Sequence, residues 1–334
     1  MRGPVSPSTF LRLFAHIQIM PILESGEETL VGGQAVMEGV MMRAPHSYCV
    51  AVRQPDGSIV TEEMPLARMS ERYRVYKWPI FRGVGTMYQA MKLGLRAMRF
   101  SANHAIEDEK RPASKPGATT KELPAIAFIG PLVFSLLFFI VAYKLIPLYL
   151  VTELEKVFPV LAGRLAFNIV DGIIRMAILV GVLYGVSRSK EIRRVFEYHG
   201  AEHKVVFNFE SGEPVTVTNA QRYSTFHPRC GTSFLFVIFV LAVPFYALIP
   251  FDGFAARLIL RILLIPVIVG VGYELIRFAA KRRGSFLAAL TAPGLWMQRI
   301  TTKPPADDQT AVAIQALEGA MALEKSQGGE LVIA

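Results

Sequence analysis

The chain has 334 residues, of which 52% are hydrophobic, and its formal net charge is +9. The hydrophobic share and several long apolar runs argue against an ordinary soluble domain and predict a mainly α-helical integral membrane protein. No segment interleaves basic and aromatic residues, so we expect no nucleic-acid partner. We assign the positive charge to membrane topology and to contacts with lipid headgroups.

The N-terminal third is predicted to contain an extension, a small cytoplasmic β-rich module and an amphipathic helix. Residues 1–29 show no secretory signal pattern and form the extension. Residues 30–102 form the module and its helix. At the start of the module, Gly32 and Gly33 suit a bulge or a close backbone approach in a strand. Gln54-Pro55-Asp56-Gly57 suits a turn between two strands. Apolar residues over 80–100 follow a helical period, typical of a helix in the membrane interface or of a core helix in the module.

A charged linker, 103–122, separates this part from a membrane domain over 123–300. Four apolar runs are long enough to be membrane spans, and they lie near 124–151, 165–186, 234–251 and 258–278. The second run contains Asp171 and Arg175, four residues apart and therefore able to pair on one helix face. The pair is either a structural ion pair that faces neighbouring helices or part of an ion path.

Basic clusters follow the second and the fourth spans, whereas the opposite loops are poor in basic residues. The positive-inside rule therefore predicts that both termini and the loop 187–232 are cytoplasmic. Residues 301–334 are expected to be a C-terminal tail with a helix that begins at Asp307 or Asp308. Cys49 and Cys230 lie on the cytoplasmic side in this topology, so both are expected to be reduced thiols.

The segment His199-Gly200-Ala201-Glu202-His203 joins two potential metal ligands to a potential general base. In a helix, His199 and His203 share one face, and Glu202 lies about one turn from His199. The order H-x-x-E-H matches the inverzincin pattern, in which two imidazoles hold zinc and the carboxylate activates water. We predict that Glu202 is catalytic and that both histidines bind metal. The alternative is that the histidines bind lipid phosphate or cap carbonyl groups.

Three further residues are expected near this motif. Segments 205–209 and 215–217 are predicted to be the strands of a hairpin, which would bring His227 towards His203. Cys230 follows His227 at zinc-ligand spacing. Glu274 lies in the last turns of the fourth span, at its cytoplasmic end. Glu38 is interpreted as a buried polar anchor, with a ligand or acid role as the alternative.

Two ligand sets are compatible with these positions, each for zinc or another divalent transition metal. The catalytic set leaves one coordination position open for water, and it comprises His199, His203 and Glu274. The structural set is closed by four protein ligands, and it comprises His199, His203, His227 and Cys230. Mixed sets also remain open.

Several of these segments together resemble the YqhQ-like bacterial multi-pass membrane proteins. They are Val31 to Met41, Glu197 to Lys204, His227 to Ser233, Tyr273 to Arg277 and Pro293 to Gln298. The resemblance covers roughly 30–317 and implies a location in the bacterial inner membrane. It also implies a domain of unknown function that is often labelled a predicted metal-dependent enzyme.

The sequence therefore favours a membrane-embedded, metal-dependent hydrolase with a cytoplasm-facing site. Its partners would be membrane lipids and a lipid-linked or membrane-protein substrate. A scaffold or chaperone with a structural metal site is the main alternative. A transporter would need a homo-oligomer, because four spans are few for a monomeric carrier.

Overall fold

The computed structural model describes residues 31–67, 69–105, 126–227, 230–251, 253–281 and 292–326. The predicted extension 1–29 and most of the predicted linker 103–122 lie outside these residues. The described part is mainly helical, with one small antiparallel sheet. Both features agree with the fold class that the sequence predicts.

The sheet is a four-stranded meander in which each strand pairs with the next. Its strands are β1 (Gly32–Val36), β2 (Gly39–Arg43), β3 (Ser47–Arg53) and β4 (Ile59–Pro65). The predicted turn joins β3 to β4: Gln54 donates its backbone N–H to the Ser58 carbonyl over 2.8 Å. Gly57 adopts a φ of +87°, a conformation that favours glycine, so this part of the prediction is confirmed.

The central strands β2 and β3 are buried on both faces because helices pack on either side of them. Side chains alternate along β3, so neighbouring residues face opposite helices. Val50 shares a buried cluster with Leu93 of α2 (Phe81–His104), which follows the short helix α1 (Met69–Arg72). Ala51 shares the opposite cluster with Val205 and Val312, from two helices given below. These strands therefore form the middle layer of a three-layer unit.

The remaining helices follow in chain order. They are α3 (Ile126–Ile140), α4 (Ile146–Val157), α5 (Arg164–Val186), α6 (Lys190–Glu210), α7 (Val217–Arg222), α8 (Gly231–Ala247), α9 (Phe254–Leu263), α10 (Ile265–Lys281), α11 (Ala292–Thr301) and α12 (Asp307–Ser326). A π-helical turn, Val141–Leu145, joins α3 to α4 without interrupting the helical path. We call β1–β4 with α2, α6 and α12 the sheet module.

The long helix α2 has one face of small residues and an opposite apolar face that is exposed. A Cβ at Gly83 would lie 2.6 Å from Tyr273 Cβ of α10, and one at Gly94 would lie 2.6 Å from Gln34 Oε1 of β1. Tyr88 and Met91, on the other face, are both 57% exposed. The helix therefore packs on α10 near its start and on β1 further along, and its predicted location in the membrane interface stays a prediction.

The helix α12 corresponds to the predicted C-terminal helix, but it does not form a separate tail. A Cβ at Gly319 would lie 2.7 Å from Cys49 Sγ, so the helix lies directly on β3. Ser47 Oγ donates a hydrogen bond to the Ala320 carbonyl over 2.7 Å, within the buried part of this contact. The C-terminal helix thereby lies beside α6, on the same face of the sheet.

Two helices among the described residues are long and apolar enough to cross a membrane, Val133–Val157 and Arg164–Val186. A third crossing is added if Phe254–Leu263 and Ile265–Phe278, which are bent by 46°, form one span. Of the four expected spans, the described residues therefore support two, or three with the bent pair. The predicted span 234–251 corresponds to α8, which has 17 residues and ends at Ala247.

The bend between α9 and α10 follows from a proline. Leu264 closes α9 by donating its backbone N–H to the Leu260 carbonyl over 2.9 Å. Pro266 has no N–H to donate to the carbonyl four residues before it, so the helix is interrupted there. Apolar side chains on the candidate spans are widely exposed, with Phe134 at 70% and Ile173 at 62%, as expected of surfaces that face hydrocarbon.

The predicted hairpin over 205–209 and 215–217 is wrong, because α6 continues to Glu210. Val205 and Val206 favour strands by intrinsic propensity, but both are buried in the cluster with the sheet and α12. This packing decides the local structure. The supposed hairpin turn is the end of the helix: Gly212 has a φ of +73° and donates its N–H to the Phe209 carbonyl over 3.2 Å.

Candidate metal centre

The helix α6 presents His199, Glu202 and His203 on one face. They occupy positions i, i+3 and i+4, which are neighbours on a helical surface. The ring centroids of the two histidines are 4.4 Å apart. Glu202 and His203 are buried, and His199 is half-buried. The predicted helical arrangement of the motif is therefore present.

Both imidazoles are oriented by backbone carbonyl groups. His199 Nδ1 lies 2.8 Å from the Thr301 carbonyl oxygen at the end of α11. His203 Nδ1 lies 2.6 Å from the Thr225 carbonyl oxygen. A carbonyl oxygen only accepts, so each Nδ1 carries the proton and donates it. Each neutral ring then keeps the lone pair on Nε2, which is the tautomer that metal-binding histidines use.

The loop that carries the Thr225 carbonyl is itself held by α6. Lys204 Nζ donates hydrogen bonds to the carbonyl groups of Gln221 and Tyr223, over 2.7 and 2.8 Å. The short helix α7 ends between them, and Thr216 caps its start by accepting from the Asn219 N–H. The residue that follows His203 therefore fixes the backbone that orients His203.

Cys230 brings a sulfur ligand to the two imidazoles. It is the N-cap of α8, and its Sγ lies 3.2 Å from His199 Nε2. One ligand atom from each of His199, His203 and Cys230 lies within 4.8 Å of the others. A tetrahedral zinc ion holds N and S ligand atoms about 3.3–3.6 Å apart, so small side-chain movements would close the set. Within the part of the chain that the structure describes, this is the group of three that could hold a metal ion.

The protonation equilibria of the ligands favour their metal-binding forms. Burial lowers the pKa of His203, which favours the neutral imidazole. Burial by itself raises the pKa of Cys230, but a protonated His203, through its hydrogen bond and its charge, and hydrogen bonds from Thr232 lower it below its ordinary value. A metal ion would take the place of the proton on His203 Nε2 in this contact. Thr232 Oγ1 donates to the sulfur over 3.3 Å. Neutral imidazole and thiolate are the forms that coordinate metal ions.

Glu202 lies beside this group in an apolar environment. Burial raises the pKa of its carboxyl group to about 7, and the nearby Cys230 sulfur adds to the rise, whereas His199 opposes it. Its Oε2 atom has no hydrogen-bond partner among the described residues. The side chain packs against β1, where a Cβ at Gly33 would lie 2.9 Å from Glu202 Cγ. The predicted close backbone approach at this glycine is confirmed.

His227 lies next to the three residues but is not one of the group. Its ring centroid is 5.6 Å from that of His203, and its Nε2 lies 3.5 Å from Glu210 Oε2. Burial lowers the pKa of His227 to about 4. Gln298 of α11 holds its backbone, accepting from the N–H and donating to the carbonyl, both over 2.8 Å. The closed four-ligand set of the sequence analysis is therefore assembled only in part.

Glu274 is not brought to the group, which corrects the first predicted ligand set. Its carboxylate pairs with the Arg82 guanidinium: Arg82 Nε donates to Oε1 over 2.5 Å, and Arg82 Nη2 donates to Oε2. The Ile80 N–H also points to Oε1, at 3.4 Å. The carboxylate is thus engaged at the contact between α10 and the start of α2.

Glu38 acts as the polar anchor that the sequence predicts. Both of its carboxylate oxygens accept hydrogen bonds from Arg194 of α6, and Tyr198 Oη donates to Oε2 over 3.3 Å. Cys49 and Cys230 are both free, also as predicted. Gln298 and the carbonyl groups of Thr225 and Thr301 are not among the predicted site residues. The two carbonyl groups are backbone atoms and give no signal in residue type, and the Gln298 amide reaches the His227 backbone from 71 residues away.

The comparisons with known proteins identify a family but no activity. The family model described as "Protein of unknown function (DUF1385)" matches residues 78–323. "Uncharacterized protein YqhQ" from Bacillus subtilis (strain 168) is 35% identical over 299 residues, which cover 88% of this chain and 92% of that protein. No solved structure matches the chain. The chain therefore belongs to the YqhQ-like DUF1385 family, as its sequence motifs predict.

Proposed function

We propose that this protein is a metal-dependent hydrolase whose metal is held by His199, His203 and Cys230 and whose general base is Glu202. The observation that carries the proposal is the orientation of the two imidazoles. Each donates Nδ1–H to a carbonyl group, and the remaining nitrogen of His199 faces Cys230 Sγ. A pair of histidines that merely capped carbonyl groups would not need a thiol beside them.

The donor set favours zinc. Two imidazole nitrogens and one thiolate are a combination that zinc accepts, and hard cations such as Mg²⁺ avoid it. Three protein ligands leave the fourth tetrahedral position for solvent or substrate, as in catalytic zinc sites. A bound zinc ion would lower the pKa of a coordinated water molecule towards neutrality.

Glu202 is the proposed base because its carboxylate adjoins the ligands and keeps an oxygen atom free. Oε2 has no partner within the described residues, so it can accept a hydrogen bond from a water molecule. The Gly33 backbone packs against Glu202 and restricts its movement. The carboxylate would take a proton from the attacking water and later pass it to the leaving group.

The location of the centre suggests the substrate class. The short segment 187–189 separates α6 from the candidate span α5, and Cys230 begins the apolar helix α8. The centre therefore lies where apolar helices meet the sheet module. We propose a lipid-linked or membrane-protein substrate at the cytoplasmic face of the bacterial inner membrane.

A structural metal site is the second candidate, and the burial of the ligands favours it. His203 is 3% exposed and Cys230 9%, so little surface is open to a substrate except at His199. A metal here would connect α6 and α8, with the end of α11 hydrogen-bonded to His199. In that role Glu202 would have no catalytic function.

Metal content and turnover distinguish the two candidates. We expect about one zinc per chain in protein purified without chelator, and at least ~100-fold weaker binding in His203→Ala and Cys230→Ala. We expect the wild type to hydrolyse lipid-extract or casein probes. Glu202→Gln should keep the metal but lose this activity. In the Co²⁺-substituted protein, azide should change the visible spectrum if one coordination position is open.

Two results would decide against the hydrolase. Absence of metal from the wild type and from zinc-supplemented protein would remove both candidates together. The structural role alone would remain if three results came together. They are a Co²⁺ spectrum that azide leaves unchanged, normal zinc content in Glu202→Gln, and no turnover by the wild type.

A further inference from the structure

A second buried polar cluster lies among the apolar helices, towards the end of α5 that is remote from the metal centre. Its members come from four helical segments and are each at most 5% exposed, and they are Lys144, Asp171, Arg175, Tyr246 and Arg261. Asp171 lies about two turns into α5 and Arg175 at its middle, whereas α6 follows the far end of the helix. The cluster is therefore separate from the proposed metal centre and does not depend on it.

One carboxylate in this cluster is shared by two guanidinium groups. The predicted pair is present, with Arg175 Nη2 at 2.5 Å from Asp171 Oδ2. Arg261 of α9 donates from Nη1 to Asp171 Oδ1 over 2.8 Å, and from Nη2 to Asn168 Oδ1 over 2.6 Å. Asp171 therefore accepts a hydrogen bond from Arg261 and forms an ion pair with Arg175, and its single charge neutralises only one arginine.

The three cations surround the ring of Tyr246. The guanidinium carbons of Arg261 and Arg175 lie 4.9 and 5.0 Å from its centroid, and Lys144 Nζ lies at 5.1 Å. Lys144 also donates a hydrogen bond to Tyr246 Oη over 2.6 Å. The cation–π contacts of the two arginines offset part of the cost of burying positive charge, whereas Lys144 lies at the hydroxyl edge of the ring; none of these contacts supplies negative charge.

The cluster has more positive than negative charge. An arginine side chain keeps its proton in proteins, so Arg175 and Arg261 carry two positive charges against the single negative charge of Asp171. This excess remains even if Lys144 is neutral. Among the described residues, Nε of Arg261 and all three side-chain nitrogen atoms of Arg175 donate no hydrogen bond. Buried cations in apolar surroundings are strongly unfavourable without a counter-charge.

A small cleft with a cavity volume of about 20 Å³ leads to this cluster. Its lining includes two members of the cluster, Arg261 and Tyr246. It also includes Asn168, which accepts a hydrogen bond from Arg261. Two further arginines, Arg164 and Arg257, also line the cleft. The one carboxylate among the lining residues is that of Glu155, whose Oε2 lies 3.7 Å from Arg257 Nη1. The lining is therefore basic from its rim to its floor.

We propose that this cleft binds a phosphate group, carried either by an anionic lipid or by free phosphate. The guanidinium fork matches phosphate oxygens, and the ligand would supply the missing negative charge. The Phe167 and Ile249 side chains in the same lining provide apolar surface for the remainder of a lipid headgroup. The enclosed volume of about 20 Å³ takes only a small group such as the phosphate, so the remainder of a lipid would lie in the open mouth of the cleft.

The test uses the full chain, delipidated in dodecyl maltoside, and three probes. They are dioleoylphosphatidylglycerol, dioleoylglycerol with the same acyl chains but no phosphate, and inorganic phosphate. Binding is followed by the thermal midpoint and by native mass spectrometry. We expect phosphatidylglycerol to bind at least ~10-fold more tightly than dioleoylglycerol, since charge-assisted hydrogen bonds require the phosphate.

Variants assign the binding to this cleft. Arg261→Gln should weaken phosphatidylglycerol binding at least ~10-fold, and the rim variant Arg257→Gln should weaken it by about 3-fold. Arg257→Gln keeps the test informative if Arg261→Gln does not fold. Arg188→Gln, at the opposite end of α5 and exposed, is the matched control and should bind like the wild type.

The outcomes separate the two sources of phosphate. A shift with inorganic phosphate alone, lost in Arg257→Gln, would identify the free anion as the ligand. A shift with phosphatidylglycerol only would identify the lipid. Either of two results would overturn the proposal. One is that phosphatidylglycerol and dioleoylglycerol bind equally tightly and inorganic phosphate has no effect. The other is that the wild type and Arg257→Gln bind phosphatidylglycerol equally tightly.

Discussion

The two buried polar clusters, one near each end of α5, differ in what they lack. In the metal centre, backbone carbonyl groups accept from both imidazoles, and the remaining lone pairs and a thiol lie near one another. In the cluster around Tyr246, two arginines share one carboxylate, and several donors have no acceptor among the described residues. The first arrangement is suited to a cation and the second to an anion. Burial alone therefore does not indicate the ligand; the balance of donors and acceptors does.

Removing the shared carboxylate should have the largest effect on stability. Asp171→Asn keeps the shape of the side chain but leaves Arg175 and Arg261 without a counter-charge. We expect the free energy of unfolding in detergent to fall by about 3–5 kcal/mol, the usual result of breaking a buried pair. Thermal and denaturant midpoints measure the change.

The control for this variant is an ion pair on the surface. Glu153→Gln breaks the pair between Glu153 and Lys156, which are both exposed, and should give no measurable change. If Asp171→Asn is as stable as Glu153→Gln, the charge excess around Tyr246 is not a real feature of the folded protein. Excess phosphatidylglycerol should partly restore the stability of Asp171→Asn if the cleft binds it.

A pair of neighbouring glycines tests how rigidly the metal centre is supported. A Cβ at Gly33 would lie 2.7 Å from the Met41 carbonyl oxygen and 2.9 Å from Glu202 Cγ, whereas a Cβ at Gly32 would meet nothing within 4 Å. Gly33→Ala should therefore cost about 1–3 kcal/mol of stability and displace Glu202. Gly32→Ala should change stability by less than about 0.5 kcal/mol.

Thermal midpoints and turnover of the two alanine variants give the readout. We expect Gly33→Ala to lower turnover and to retain zinc, because the side chain that it displaces is the proposed base and not a ligand. Equal midpoints for the two variants would show that β1 does not approach α6 as closely as the structure indicates.

The sequence predicts the local parts of this molecule well and the long-range parts poorly. The β3–β4 turn and the spacing of His199 and His203 depend on neighbours within a few residues, and both are present in the structure. The helical course of 205–209 depends on burial against the sheet and α12, which intrinsic propensity does not contain. Arg261 joins Asp171 from 90 residues away, so only the packed helices reveal the charge excess.

Glu274 gives the smallest expected effect and the most direct test of the corrected ligand set. Its carboxylate is paired with Arg82 and approached by the Ile80 N–H, at the contact between α10 and α2. Glu274→Gln should therefore leave zinc content unchanged, while the loss of a partly exposed ion pair lowers stability by about 1 kcal/mol or less. The matched variant Arg82→Gln should lower stability by a similar amount, and the double variant should cost less than the sum of the two because they share one interaction. Metal analysis and thermal midpoints measure both effects. Loss of zinc in Glu274→Gln but not in Arg82→Gln would return Glu274 to the ligand set and would contradict the three-residue centre.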